Sequence, residues 1–404
     1  MALAKHLKRY RSVLAVRNEG STAGAARVLP LSQSAIARAI RELEADLDAA
    51  LFERGARGML PTAVCDLLAY RARRALDQLA RAEAEVQAIA GDEAALPPGR
   101  FAGRCAYRHL AVYIAFCETR AEAPAAARLG VSQPAVNQTL RQLEHMVGAR
   151  LFLRSARGLR LTEAGEMVLL RAKLALSEFR HAEEDLAAFQ GRMRGRIVIG
   201  SLPLSAGVLV PRAVDRVLAR HKDVQVTIVD GTYESLMSQL VHADIDVIVG
   251  ALRPGPTPPD VVREPLFEDT LSVVVRHGHP LVGAKRGGLG ELVDETWIAP
   301  LRGTPAREAF ERAFLAAGVS PPRVSLEVNS AVVLQALLLD SDRLALLSRR
   351  QIIRGISAGL LSVLPVDVQE TRREIGLTLR ADGDLGASMK SFIEEIHRLA
   401  DAQD

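Results

Sequence analysis

Ser32-Gln33-Ser34-Ala35-Ile36 returns as Ser132-Gln133-Pro134-Ala135-Val136, an offset of 100 residues. The same offset relates Leu43-Glu44 to Leu143-Glu144, Leu51-Phe52 to Leu151-Phe152, and Arg54 with Ala56-Arg57-Gly58 to Arg154 with Ala156-Arg157-Gly158. A register held that long marks a duplicated structural unit, and two copies at so long a period indicate tandem domains rather than a solenoid. Inside each copy, Ile36, Ile40 and Leu43, or Val136, Leu140 and Leu143, keep the i, i+4, i+7 spacing of a short helix with one buried face. Ser32 and Ser132 stand where an N-cap belongs, and Pro134 is tolerated in a first turn because its missing N–H would have no partner there. The small residues Ala25-Ala26 and Ala125-Ala126-Ala127 let a preceding helix approach closely.

The opposite face of that helix is polar: Gln33, Ser34, Ala37, Arg38 and Arg41 in the first copy, Gln133, Pro134, Asn137, Gln138 and Arg141 in the second. Downstream, residues 51–54 and 151–154 read as strands, followed by an Arg-Gly turn and a second short strand ending at Thr62 or Thr162. A basic hairpin beside a helix-turn-helix is a wing. Gln and Asn pair bidentately with adenine and Arg with guanine in the major groove. Arginines on the wing, Arg54 and Arg57 or Arg154 and Arg157, suit phosphate or minor-groove contact, which supplies affinity rather than sequence reading. A single polar helix face is equally a solvated surface; duplication of the helix together with its wing favours DNA.

After each wing comes a heptad seam. Leu68, Ala72, Ala75, Leu79, Ala82, Val86 and Ile89 step by four and three, as do Val168, Ala172, Ala175, Phe179, Ala182, Leu186 and Phe189. Such spacing predicts a long helix paired along its length with a partner helix, either in another subunit or within its own chain. A partner in another subunit would present the wings in symmetric pairs to a palindromic site.

At 404 residues, 49% hydrophobic and 25% charged, the chain has the balance of an ordinary globular protein of several domains. Its net charge of +4 is compatible with a nucleic-acid partner without requiring one. No apolar run approaches the ~20 residues of a membrane helix, the first residues carry no secretory segment, and the three cysteines (Cys65, Cys105, Cys117) form neither a CxxC pair nor an even framework. A cytoplasmic protein with buried thiols, no membrane association and no cofactor is expected. Enzyme signatures such as GxSxG, a phosphate-binding loop or metal-ligand spacing are absent from the sequence.

Pro97-Pro98 and three glycines mark 91–104 as a linker, and Gly191-Arg192-Met193-Arg194-Gly195 as a second break. Expected domains are therefore 1–90, a first winged helix-turn-helix with its linker helix; 105–190, a second; and 191–404, an α/β domain. In the last, β-branched runs at 196–200, 224–230 and 246–250 alternate with helical stretches bearing Leu209, Ala213 and Val217, which predicts a parallel sheet covered on both sides. Ligands of such sheets sit beyond the carboxyl ends of the strands, here Ser201-Leu202-Pro203, Gly231-Thr232 and Gly250-Ala251. A second α/β unit has strands at 271–275, 324–327 and 343–347, with Thr304-Pro305 and Asn329-Ser330 as helix N-caps. Helix N-termini beside Arg302 make a seat for a carboxylate; Ser201 acting only as a helix cap and Arg302 only in a surface ion pair are the plainer alternatives.

Ser132-Gln133-Pro134-Ala135-Val136, Leu143-Glu144, Leu151-Phe152 with Arg154 and Arg157, and Leu161-Thr162-Glu163-Ala164-Gly165 resemble the winged helix-turn-helix of LysR-type transcriptional regulators. From about Tyr107 onward the chain is similar to a complete member: winged helix, long linker helix, and an effector domain like the two-lobed periplasmic binding proteins, with lobe I at about 196–268 and 375–404 and lobe II at about 269–374. The departure is the extra, divergent first copy, with Ser34 for Pro134, Pro61 for Leu161 and Ala63-Val64-Cys65 for Glu163-Ala164-Gly165. The resemblance implies a multidomain regulator that binds operator DNA through Ser132, Gln133, Pro134, Asn137, Gln138, Arg141, Arg154 and Arg157, with Ser32, Gln33, Arg38, Arg41, Arg54 and Arg57 chemically able to join them. It places an inducer, a carboxylate or a sugar, between the lobes at Ser201, Leu202, Pro203, Thr232, Arg302, Gly303, Thr304 and Ser330. Homodimers or homotetramers and RNA polymerase are the implied protein partners. The alternatives are a two-lobed solute-binding protein or enzyme that uses the repeats only to oligomerise, and a nucleoid-type DNA binder without an effector.

Overall fold

The computed structural model describes residues 2–55, 58–90, 99–155, 158–202, 208–284 and 287–402. They form two compact units, 1–195 with 386–388, and 196–385 with 389–404.

In the first unit each copy builds three helices, a hairpin and a long helix. The first copy runs α1 (Leu7–Glu19), α2 (Thr22–Val28), α3 (Gln33–Leu47), β1 (Phe52–Gly55), β2 (Gly58–Pro61) and α4 (Ala63–Ala90). A short helix α5 (Arg100–Arg104) precedes the second copy: α6 (Tyr107–Thr119), α7 (Glu122–Leu129), α8 (Gln133–Val147), β3 (Phe152–Ser155), β4 (Gly158–Leu161) and α9 (Glu163–Phe189). The predicted seam residues are buried except at the helix ends, where Ile89 and Phe189 are exposed. The segment expected to be a bare linker is in part structural: within α5, Phe101 is fully buried, and the backbone N–H groups of Arg100 and Ala102 donate to the Glu83 carboxylate on α4. Both copies share one hydrophobic core, extending from Leu3 to Leu186, so they are not independent beads on a string. The hairpins end one residue earlier than expected because Thr62 and Thr162 turn to capping; their hydroxyls accept from the N–H of Cys65 and Gly165.

The second unit holds two five-stranded sheets. The first has the order β6-β5-β7-β14-β8, made by β5 (Arg194–Ser201), β6 (Asp223–Asp230), β7 (Val247–Ala251), β8 (Val261–Asp269) and the late strand β14 (Arg373–Arg380), with helices α10 (Leu209–Arg220) and α11 (Tyr233–Val241) between its early strands. The second has the order β11-β10-β12-β9-β13, from β9 (Leu271–Arg276), β10 (Trp297–Ala299), β11 (Leu326–Glu327), β12 (Leu344–Ser348) and β13 (Leu361–Val363), with α12 (Pro305–Ala316), α13 (Ala331–Leu339) and α14 (Arg349–Ser357); α15 (Ala387–Asp401) closes the chain. Leu271, Val273, Leu344 and Leu346 enter one apolar cluster with α12, while Val274, Ala345 and Leu347 enter another with α13 and α14. Period-two alternation thus covers both faces of this sheet.

The sheets are mixed rather than wholly parallel. β5 and β7 pair in parallel, but β14 runs antiparallel to both β7 and β8, and β9 antiparallel to β12 and β13. The reason is topological: the chain leaves the first sheet along β8 and returns along β14, so these strands run side by side in opposite directions. Their ends are tied at the crossing by a buried pair, Arg373 to Asp269 at 2.7 Å, with the Ser348 hydroxyl donating to the second Asp269 oxygen at 2.6 Å.

Candidate nucleic-acid interface and effector cleft

The helices expected to read DNA are α3 and α8. Ser32 and Ser132 cap them, their hydroxyls accepting from Ala35 N–H at 3.2 Å and Ala135 N–H at 3.4 Å, and Pro134 sits in the first turn. Ile36, Ile40 and Leu43, and Val136, Leu140 and Leu143, are buried, which leaves Gln133, Pro134, Gln138 and Arg141 on the exposed side of α8, and Gln33, Ser34, Arg38 and Arg41 on that of α3. Asn137 is drawn inward: it is half-buried, and its amide donates to Glu122 at 2.8 Å, tying α8 to α7. Gln33 makes a related tie to Thr22 at 3.1 Å but remains exposed. Arg38 pairs along its own helix with Glu42 at 2.7 Å, and Arg41 reaches the Ala37 carbonyl.

Each hairpin is antiparallel in the same register, Phe52 opposite Pro61 and Phe152 opposite Leu161. The repeated glutamates explain their own recurrence, because Glu44 accepts from the N–H of Leu51 and Phe52, and Glu144 from that of Leu151, fixing the wing to the helix before it. Arg54 is exposed on β1. Arg154 belongs to β3, with its side chain outside the described set; Arg57 and Arg157 lie outside the described residues.

The divergent first copy is repacked rather than damaged. In the second copy the Tyr113 hydroxyl donates to the Gly165 carbonyl at 2.7 Å, and a Cβ at Gly165 would stand 2.3 Å from the Leu151 carbonyl oxygen. The equivalent pair is Val13 and Cys65, both fully buried. A smaller side chain on one helix is matched by a larger one on the other, a volume-conserving exchange. Burial pushes the Cys65 and Cys105 thiols up to about 12, which makes them inert core groups at neutral pH.

In the second unit two adjoining cavities, of about 690 and 160 Å³, open between the two sheets. Ser201 and Ser330 line the larger, Arg302, Gly303 and Thr304 the smaller, and Leu202 and Thr232 both; Pro203 is outside the described residues. The Thr232, Thr304 and Ser330 hydroxyls each cap a helix, α11, α12 and α13, accepting from Ser235, Arg307 and Val333 N–H. Three helix N-termini therefore face the cavities, each with a partial positive charge. Arg302 is 82% exposed and pairs with Glu327 at 3.4 Å, the plainer of its two expected roles. The sequence reading missed Arg253, whose side chain is 19% exposed and lies over the Tyr233 ring at 4.6 Å, pairs with Glu234 and donates to the Gly303 carbonyl. It also missed Gln351 on α14, which lines the larger cavity with both side-chain amide atoms buried and without a hydrogen-bond partner among the described residues. Residue 351 follows an ordinary helix start, and only its three-dimensional position sets it apart.

Family comparison matches residues 190–401 to the LysR substrate binding domain, and residues 7–66 and 107–166 each to the bacterial regulatory helix-turn-helix protein, lysR family. The HTH-type transcriptional regulator GalR of Pseudomonas putida is 36% identical over 93% of this chain and 92% of its own length. PcaQ of Agrobacterium fabrum, another HTH-type transcriptional regulator, is 29% identical over 74% of this chain and 96% of its own length. Among solved structures, full-length OxyR of Pseudomonas aeruginosa, in a cysteine-to-aspartate variant, superposes with a TM-score of 0.57 at 19% identity, covering 72% of this chain and 96% of its own. The LysR family regulator CbnR does so at 0.52 and 21%, covering 72% and 98%.

Proposed function

Because the chain belongs to the LysR family of DNA-binding transcriptional regulators with an effector-binding domain, we propose that α8 is its principal base reader and that the cleft between the two sheets seats its inducer. Gln133, Gln138 and Arg141 meet base edges, Ser132 and Pro134 set the entry of the helix, and the wing arginines Arg54, Arg57, Arg154 and Arg157 hold phosphate. Asn137 serves as a brace between α7 and α8. The observation that carries the reading is the exposed amide and guanidinium face on a capped helix whose other face is wholly buried. The solute-binding, enzymatic and nucleoid alternatives leave unexplained why both repeats match a regulatory helix-turn-helix family. No catalytic role is proposed.

The inducer in this reading is a small carboxylic acid with an apolar body, favoured over a sugar. Three helix N-termini and Arg253 supply positive potential, Leu202, Leu334 and Leu338 supply an apolar wall, and Gln351 offers a donor and an acceptor that have no partner among the described residues. A cavity of about 690 Å³ is in the range of small-ligand sites. Binding alters transcription only through unequal affinity for two arrangements of the protein. The protein acts in the cytoplasm with RNA polymerase as partner, and it self-associates as a homodimer or homotetramer through surfaces other than the α4/α9 seam, which is filled from within the chain. Thermal melting against panels of aromatic acids, aliphatic acids and neutral sugars tests the cleft: stabilisation by acids is expected, and stabilisation by neutral sugars alone refutes the carboxylate reading.

A further inference from the structure

The contacts between α4 and α9 are reciprocal. Arg71 on α4 reaches Glu178 and Asp185 on α9; Arg171, at the position equivalent to Arg71, reaches Gln78 and Glu85, which are equivalent to Glu178 and Asp185. Glu83 on α4 accepts from the backbone N–H of Arg100 and Ala102 at the entry to the second copy, and Glu183 on α9 accepts from that of Leu3 at the entry to the first. Early residues of α4 thus meet late residues of α9 and the reverse, so the helices are antiparallel. If residue i of one copy touches residue j of the other, then j of the first touches i of the second. That is the signature of an isologous interface, the kind two identical subunits make about a two-fold axis. Here one polypeptide makes it with itself.

We propose that a single chain is a complete two-headed DNA reader, in which the first copy occupies the place of a second subunit and the operator consists of two unlike half-sites in inverted orientation. The proposal rests on the reading of α8 as a base reader and extends it to α3. Two observations support α3 as a working reader: the volume-matched exchange at Val13 and Cys65 preserves its framework, and its face remains exposed with Gln33, Arg38 and Arg41 upon it. The Arg38–Glu42 pair is an exposed i, i+4 contact, worth less than a bidentate contact to guanine, so DNA can draw Arg38 away. The two faces share Gln33/Gln133 and Arg41/Arg141 but differ at Arg38/Gln138 and Ser34/Pro134. The half-sites therefore agree at the bases met by the shared residues and diverge where Arg38 selects guanine and Gln138 selects adenine.

The test is selection of full-length protein on duplexes with a randomised core of about 30 base pairs, repeated with Arg38→Gln and with Gln138→Arg, both surface changes. The expected wild-type site has two inverted, unequal half-sites. Arg38→Gln converts one half-site from guanine to adenine and makes the site more nearly palindromic, whereas Gln138→Arg changes the other half-site. A selected site that Arg38→Gln leaves unaltered, or a wild-type site of two identical half-sites, overturns the proposal. Loss of all selection specificity in Gln133→Ala, alongside an Arg38→Gln variant that still selects the wild-type site, separates failure of this inference from failure of the α8 assignment, because α8 would then be reading alone.

Discussion

Replacing Arg71 by Met keeps most of the apolar stem and removes the charge at the centre of the internal interface. The Arg71 side chain is 1% exposed, and it faces Glu178 at 3.1 Å and Asp185 at 2.7 Å, whose side chains are 7% and 17% exposed. Deleting one partner of a buried pair leaves the other charge uncompensated, at a cost of about 3–5 kcal/mol. Arg74 still holds Glu178 at 2.8 Å, so the lower end of that range, about 3 kcal/mol, is expected. The equivalent Arg171 is 18% exposed and its acidic partner Glu85 is 33% exposed, with neutral Gln78 as the third member; solvent screens that pair, and Arg171→Met should cost about 1 kcal/mol. The sequence supplies two clean probes. All three cysteines lie in the first unit, and the one tryptophan, Trp297, is buried against Phe310 and Phe314 in the second. Labelling of Cys65 and Cys105 in a urea series on the full-length chain should move to lower urea by roughly 1 M for Arg71→Met, taking a denaturant slope of about 3 kcal/mol/M, and by about a third of that for Arg171→Met. The Trp297 transition should stay where it is. Equal shifts for the two variants, or an unmoved thiol transition in Arg71→Met, would refute the claim that the seam is satisfied within one chain.

Gln133→Ala should cost about 1–3 kcal/mol on the selected duplex and leave binding to scrambled duplex unchanged in side-by-side titrations. Gly165→Ala drives a Cβ against the Leu151 carbonyl oxygen and should destabilise the first unit by about 1–3 kcal/mol in the thiol-labelling assay. His109 is held by burial and by Arg108 and Lys8 at a pKa of about 4, below its ordinary 6.5; its contribution is whole above pH 6.5 and is lost as pH falls from 6.5 to 4, because the unfolded chain takes up the proton first. His109→Gln should flatten the thiol-labelling midpoint across that window, and an unchanged slope would count against the assignment. Gln351→Leu removes two polar atoms that have no partner among the described residues from the cavity wall and should raise the melting temperature of the ligand-free protein while abolishing stabilisation by the best acid.

What could be read from the sequence, and what could not, follows the range of each interaction. The recognition helices, their serine caps and the wings are decided by neighbours within about ten residues, so spacing alone exposes them. The heptad seams were equally plain as surfaces that require a partner helix, yet a seam states only the shape of its partner and not whether that partner is covalently attached. The missing signal was present in the charges: Arg71 and Glu85 recur as Arg171 and Asp185 at the offset of the repeat, and an antiparallel pairing turns that recurrence into crossed ion pairs. In the effector unit, strand ends and helix caps marked the rim of the cleft, whereas Arg253, from the loop after β7, lines the smaller cavity and Gln351, on α14, the larger, and the two cavities adjoin only because the chain crosses between the sheets along β8 and β14. Arg302 carried the expected charge, but it stands in solvent beside Glu327. A cation's usefulness to a ligand depends on the dielectric around it, which is set by tertiary packing and is invisible in a local pattern. The same reasoning explains why duplication is informative here: two copies of one pattern, free to diverge at Arg38 and Gln138 while the crossed pairs stay complementary, separate the residues that hold the pair together from those that can differ in what they read.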